Sequence, residues 1–229
     1  VIFRLVAIVI IIVLVKTPPR KHTSEQERAR QIPLRELFAL PLLAAYIIAF
    51  VDYLFVGFDI SLTPLWLHNN LGASVTMIGV TYIAFSITSI ISAPFGGRLA
   101  DRRRRSTLIL IFGTAQVPLY FVYGLASVVI TVIIAFAIHG IVYSFTVPAI
   151  DAHLASSSTP DARARIQGLY SAFGMVGGFV GSAASTMLYA INFRLPLPTI
   201  GVVFFVGILI GGLLVRRSEK RGIVKAVVG

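Results

Sequence analysis

Asp52 and Asp59 stand seven residues apart in a stretch, 38–67, that carries no other charged side chain. Seven helical residues turn through about 700°, about 20° short of two turns, so both carboxyls leave one face about 10.5 Å apart along the axis. Thr63 follows one turn later and extends the stripe. An acid at the centre of a bilayer costs roughly 2.5–3.5 kcal/mol, so two on one face call for a use or a partner. An unpaired carboxyl in such a medium favours its protonated form, and that proton can be traded against cargo. Asp52 therefore reads as the carrier of a coupling proton or as a contact for a cationic substrate, with Asp59 as relay or outer-gate partner. The structural alternative is that an Arg or Tyr from elsewhere satisfies each acid.

A second candidate is His139, mid-span beside Tyr143 and Ser144, either in a polar cavity or bonded to a neighbouring helix. Tyr46, Tyr53 and Gln116 could line the same cavity, while Trp66 beside His68 reads as an interfacial anchor. Chemistry on covalent bonds has little to work with. The chain lacks His-Glu-x-x-His, Gly-x-Ser-x-Gly and cysteine, and its two membrane acids share one helix. We expect no enzyme, no metal and no cofactor.

The elements that hold these residues follow from where charge is missing. No Asp, Glu, Lys or Arg occurs in 60–97, 106–150, 166–193 or 195–215. A helix needs roughly 20 apolar residues to cross a bilayer, so six full spans are expected at about 38–67, 75–97, 106–125, 127–149, 167–191 and 197–215. Residues 1–15 form a shorter apolar run that opens without Met and reads as the tail of a truncated transmembrane helix. A linker follows at 16–37, and a basic tail at 216–229. With 57% hydrophobic and 13% charged residues, against about 25% charged in soluble domains, a soluble globule is excluded. The fold class is an all-α polytopic membrane protein, a six-helix bundle in the bilayer.

Every Lys and Arg except Arg4 and Arg194 falls in the linker, in the turn at 98–105, in the loop holding Arg163 and Arg165, or in the tail. Those segments share one side of the six spans, which makes it cytoplasmic. The net charge of +11 is thus a topology signal, and no nucleic-acid partner is expected.

The turn between the second and third spans reads Gly97-Arg98-Leu99-Ala100-Asp101-Arg102-Arg103-Arg104-Arg105. Gly97 would let the helix end pack closely or turn, and Asp101 is an acid on the side where orientation favours bases. The segment resembles the signature of the major facilitator superfamily, Gly-x-Leu-x-Asp-Arg-x-Gly-Arg-basic. Gly97, Leu99, Asp101, Arg102 and Arg105 match it, while Arg104 replaces a Gly and Ser106 a base. The run Gly174-Met175-Val176-Gly177-Gly178-Phe179-Val180-Gly181 is similar to that family's eleventh helix. Gly174/Gly178 and Gly177/Gly181 are overlapping small-xxx-small pairs that let helices approach closely.

The resemblance implies the C-terminal half of a twelve-helix transporter: the end of helix six, the central loop and helices seven to twelve. It implies secondary transport of a small molecule by alternating access, with 97–105 as a gating turn in which Asp101, Arg102 and Arg105 act. The missing N-terminal half and the lipid bilayer are the implied partners, and a bacterial-type plasma membrane the implied location. Lack of a basic residue inside the spans favours neutral or cationic lipophilic cargo, as in the family's drug-efflux members, so the resemblance implies efflux, which Asp52 and Asp59 would couple to protons. The competing reading is a six-helix scaffold or sensor that transports nothing.

Overall fold

A computed structural model describes residues 34–158 and 162–221. The apolar run 1–15, nearly all of the linker and the end of the basic tail lie outside the described residues. The described residues belong to one compact unit, Leu34–Gly229. They are all-helical, with no strand among them.

A short helix, α1 (Leu34–Leu37), leads into α2 (Leu40–Leu71). Pro41 sits in the first turn of α2, where a missing N–H costs nothing. The helix ends where Gly72 takes a left-handed conformation at φ 65° and its N–H reaches the His68 carbonyl. Ser74 then caps α3 (Val75–Arg102) by accepting from the Met77 N–H at 3.3 Å. The expected third span is two helices, α4 (Arg105–Ala115) and α5 (Val117–Leu125), broken at Gln116. Pro118, whose nitrogen cannot donate to the turn before it, stands just beyond the break. The chain closes with α6 (Val129–Ser156), α7 (Arg163–Ile191) and α8 (Pro196–Lys220). Six stretches are long and apolar enough to cross a membrane, counting α4 and α5 as one.

Packing joins helices far apart in sequence. The most extensive contacts are α2 on α7 and α3 on α6, while α8 lies against α2, α4 and α5. The core is filled by Phe58, Leu62, Trp66, Tyr120, Tyr123 and Phe204, each almost fully buried. Outside it, α3 turns Ile83, Ile87, Ile90 and Ile91 outward, and Ile90 is 72% exposed. Such a surface is stable only where hydrocarbon or apolar protein replaces water. This is a polytopic integral membrane protein.

Candidate functional site

Asp52 lies on α2, half-buried, with Asp151 of α6 near enough for its charge to act on it. The hydroxyl of Tyr143 is within range of both carboxyls, and of the Tyr53 and Tyr170 hydroxyls as well. Three helices thus converge on one acidic and aromatic patch: α2 with Asp52 and Tyr53, α6 with Tyr143 and Asp151, and α7 with Tyr170. None of these acids forms an ion pair among the described residues. Asp151 also lines a cavity of about 150 Å³ with Ser158, Arg163 and Gln167, at the end of the bundle that carries the arginine turn. Sequence reading did not single out Asp151, which is exposed and lies past the expected end of its span at 149, on the part of α6 that continues to Ser156.

Asp59, Thr63 and Trp66 continue along α2 away from that cavity. Asp59 is buried, with the Thr63 and Tyr82 hydroxyls beside its carboxyl. Tyr82 of α3 also donates to the Asp59 backbone carbonyl at 3.5 Å. Trp66, expected at the interface, is instead 2% exposed. It shares the inward face with Asp59, at i+7, so the core claims it.

His139 is not at the Asp52 patch but inside a closed network. Gln116 Nε2 donates to the Phe112 carbonyl at 3.3 Å and to Thr146 Oγ1 at 3.1 Å. A carbonyl can only accept, so Gln116 must turn its Oε1 toward His139. His139 Nε2–H then donates to that oxygen at 3.0 Å, and Nδ1 accepts from the Tyr123 hydroxyl at 2.8 Å. Both ring nitrogens are engaged. It stacks edge-on toward Tyr143, 6.4 Å between centroids, which separates the network from the acidic patch by one aromatic ring. Gln116, at the join of α4 and α5 with helical backbone angles, and Tyr123 seven residues on share a face, so both reach His139.

At the arginine turn, Asp101 and Arg102 are exposed, and neither has an ion-pair partner among the described residues. Arg105 donates to the Ser156 hydroxyl of α6. The close packing expected at Gly97 is not found, since a Cβ built there meets nothing within 4 Å. Gly96 takes that role, its Cβ falling 2.0 Å from the Ser144 carbonyl oxygen of α6. One residue of helix is about 100° of rotation, so the neighbour faces the partner. Sequence reading also missed Glu219 of α8. It accepts from the Ser106 N–H at 3.2 Å and from its hydroxyl at 2.5 Å, so a side chain from α8 caps α4.

The glycines of α7 lie against α2. Cβ atoms at Gly177 and Gly181 would meet the Phe50 and Leu54 carbonyl oxygens at 2.0 and 1.9 Å, and one at Gly57 the Gly178 carbonyl at 1.9 Å. Gly174 faces the Tyr53 ring, with Cβ contacts of 3.0 Å, and so brings the patch tyrosine against α7. Ser61 and Ser182 close the seam with a hydroxyl pair at 2.5 Å.

Residues 45–226 match the family model described as Major Facilitator Superfamily. The chain is 27% identical over 175 residues to "Multidrug resistance protein 1" of Bacillus subtilis (strain 168), covering 75% of this chain and 44% of that protein. It is 28% identical over 151 residues to "Multidrug resistance protein 2" of the same organism, covering 64% and 36% respectively. It is 22% identical over 179 residues to "Quinolone resistance protein NorA" of Staphylococcus aureus (strain MRSA252), covering 76% and 45%. The chain thus spans less than half the length of the curated relatives it matches.

Proposed function

Because this chain belongs to the Major Facilitator Superfamily, we propose that it forms part of a secondary transporter that moves a small molecule by alternating access. The cargo is a lipophilic cation and the driving ion a proton. The observation that carries this is the Asp52–Asp151 pair set among Tyr53, Tyr143 and Tyr170, with no base paired to either acid. A carboxyl kept from water, with a second negative charge within range, is favoured when a proton or a cation neutralises it, and Asp52 is so placed. Tyrosine faces attract cations, and their apolar bodies suit a lipophilic cargo. Drug-resistance names among the relatives point to drug-like molecules moving outward.

Two acids on separate helices would also serve an intramembrane hydrolase. Membership of a transport family favours exchange of proton and cargo. In this reading a second six-helix bundle completes the cavity, and the arginine-rich end, with the linker and tail, is cytoplasmic. The gating turn acts there through Asp101, Arg102 and Arg105, and His139 holds the bundle together rather than carrying the proton.

The test is uphill transport in proteoliposomes of the full-length protein. Asp52→Asn should abolish accumulation of a lipophilic cation against its gradient under an imposed proton gradient, while the protein still equilibrates the cation downhill. Unchanged uphill accumulation would remove Asp52 from the mechanism.

A further inference from the structure

On the side of the bundle away from the arginine turn, three buried polar atoms meet no partner: Asp59 Oδ1, Tyr120 Oη and Trp66 Nε1. Their residues are 9%, 0% and 2% exposed. Asp59, Thr63 and Trp66 are spaced i, i+4 and i+7 on α2 and therefore share a face. Tyr120 reaches the same space from α5, within range of the charges of both Asp59 and Asp52. The other titratable groups that face Asp59 are Tyr82 from α3 and Tyr123 from α5, and no base stands among them.

Buried polar groups without protein partners are rare, and ordered water making about 2–4 hydrogen bonds is the usual means of satisfying them. The chemistry here suits a directed file. The Trp66 N–H only donates, the Asp59 carboxylate accepts, and the Thr63 and Tyr120 hydroxyls do both. We propose that Trp66, Thr63, Asp59 and Tyr120 hold a file of water that carries protons to Asp52 from the end of the bundle opposite the arginine turn. A proton arriving on water is taken by the Asp59 carboxylate. The Tyr120 oxygen then accepts a proton from the Asp59 side while its own proton passes toward Asp52. Each O–H bond broken is matched by one formed, and one proton moves in net. The endpoint at Asp52 rests on the function proposed above; the file itself does not.

The experiment exploits the absence of cysteine from residues 1–229. Variants Thr63→Cys and Leu62→Cys are made singly in the full-length protein, with any cysteine outside these residues first replaced by Ser, in proteoliposomes. Silver ion is added, and the remaining free thiol is counted by maleimide labelling after denaturation. Leu62 is equally buried, at 2% against 3% for Thr63, but apolar. Thr63→Cys should be blocked at least tenfold faster than Leu62→Cys. Separately, Tyr120→Phe and Asp59→Asn should each lower the ratio of uphill to downhill transport at least tenfold. Equal silver rates at the two cysteines would overturn the file whatever Asp52→Asn does. An unchanged ratio in Tyr120→Phe and Asp59→Asn would overturn delivery of protons along it. Normal uphill transport in Asp52→Asn would overturn only the reading of Asp52.

Discussion

His139 gives both ring nitrogens to neighbours, so His139→Leu strands the Gln116 oxygen in the core and leaves the Tyr123 hydroxyl only the Ala135 carbonyl at 3.4 Å. A stranded buried group costs about 1–3 kcal/mol, and thermal melting should drop clearly while the ratio of uphill to downhill transport holds. An altered ratio at an unchanged melting temperature would instead put His139 in the coupling machinery. Asp101 predicts the opposite pattern, because its exposed carboxylate has no ion-pair partner among the described residues. Asp101→Asn should melt normally yet slow turnover of the full-length protein, within the 1–3 kcal/mol range (about 5–150-fold) typical of coupling between states. Normal turnover would make it only a loop residue. Which residues were legible beforehand depended on period and partner. The shared face of Asp52 and Asp59 follows from 3.6 residues per turn alone. That His139 is satisfied follows from Gln116 and Tyr123, which the packing of α4 and α5 on α6 brings to it. Asp151 was hidden because apolar windows mark hydrocarbon, and helices run past it.

Helix pairing here is set by backbone meeting backbone. At Gly181 an added Cβ would fall 1.9 Å from the Leu54 carbonyl oxygen, whereas at Gly97 and Gly168 it would meet nothing within 4 Å. Gly181→Ala should therefore force α7 off α2 and destabilise the bundle by about 1–3 kcal/mol or more. Gly97→Ala and Gly168→Ala should be neutral or gain up to about 1 kcal/mol from helix propensity. Thermal melting of the three variants checks the contrast, and equal effects would mean that the α2–α7 seam can relax. The glycine rows of α7 were readable as a close-packing stripe, since spacing by four marks one face. The choice between Gly96 and Gly97 was not, because it turns on which way α3 is rotated, and α6 decides that. The break at Gln116 was equally hidden inside an uncharged stretch of apparently single-span length.

For the molecule as a whole, charge-free stretches were enough to number the spans, because hydrocarbon excludes charge regardless of how helices later pack. They said nothing of adjacency, which joins α2 to α7 and α3 to α6. With the α3 face so exposed, residues 1–229 reconstituted as a monomer should show no saturable cation flux. Saturable flux would mean that one bundle is a sufficient machine. The α2–α7 pairing also has a consequence for how the protein is made. Ser61 and its partner Ser182 are 121 residues apart in the chain. At roughly 5–20 residues per second of synthesis, α2 waits about 6–24 s at the translocon before the helix that covers it exists. For most of that wait Asp52 and Asp59 have neither α6 nor α7 beside them, so the nascent chain passes through a stage in which these two acids are its weakest membrane anchor. The α2–α7 seam therefore forms only after every described span but the last has been made.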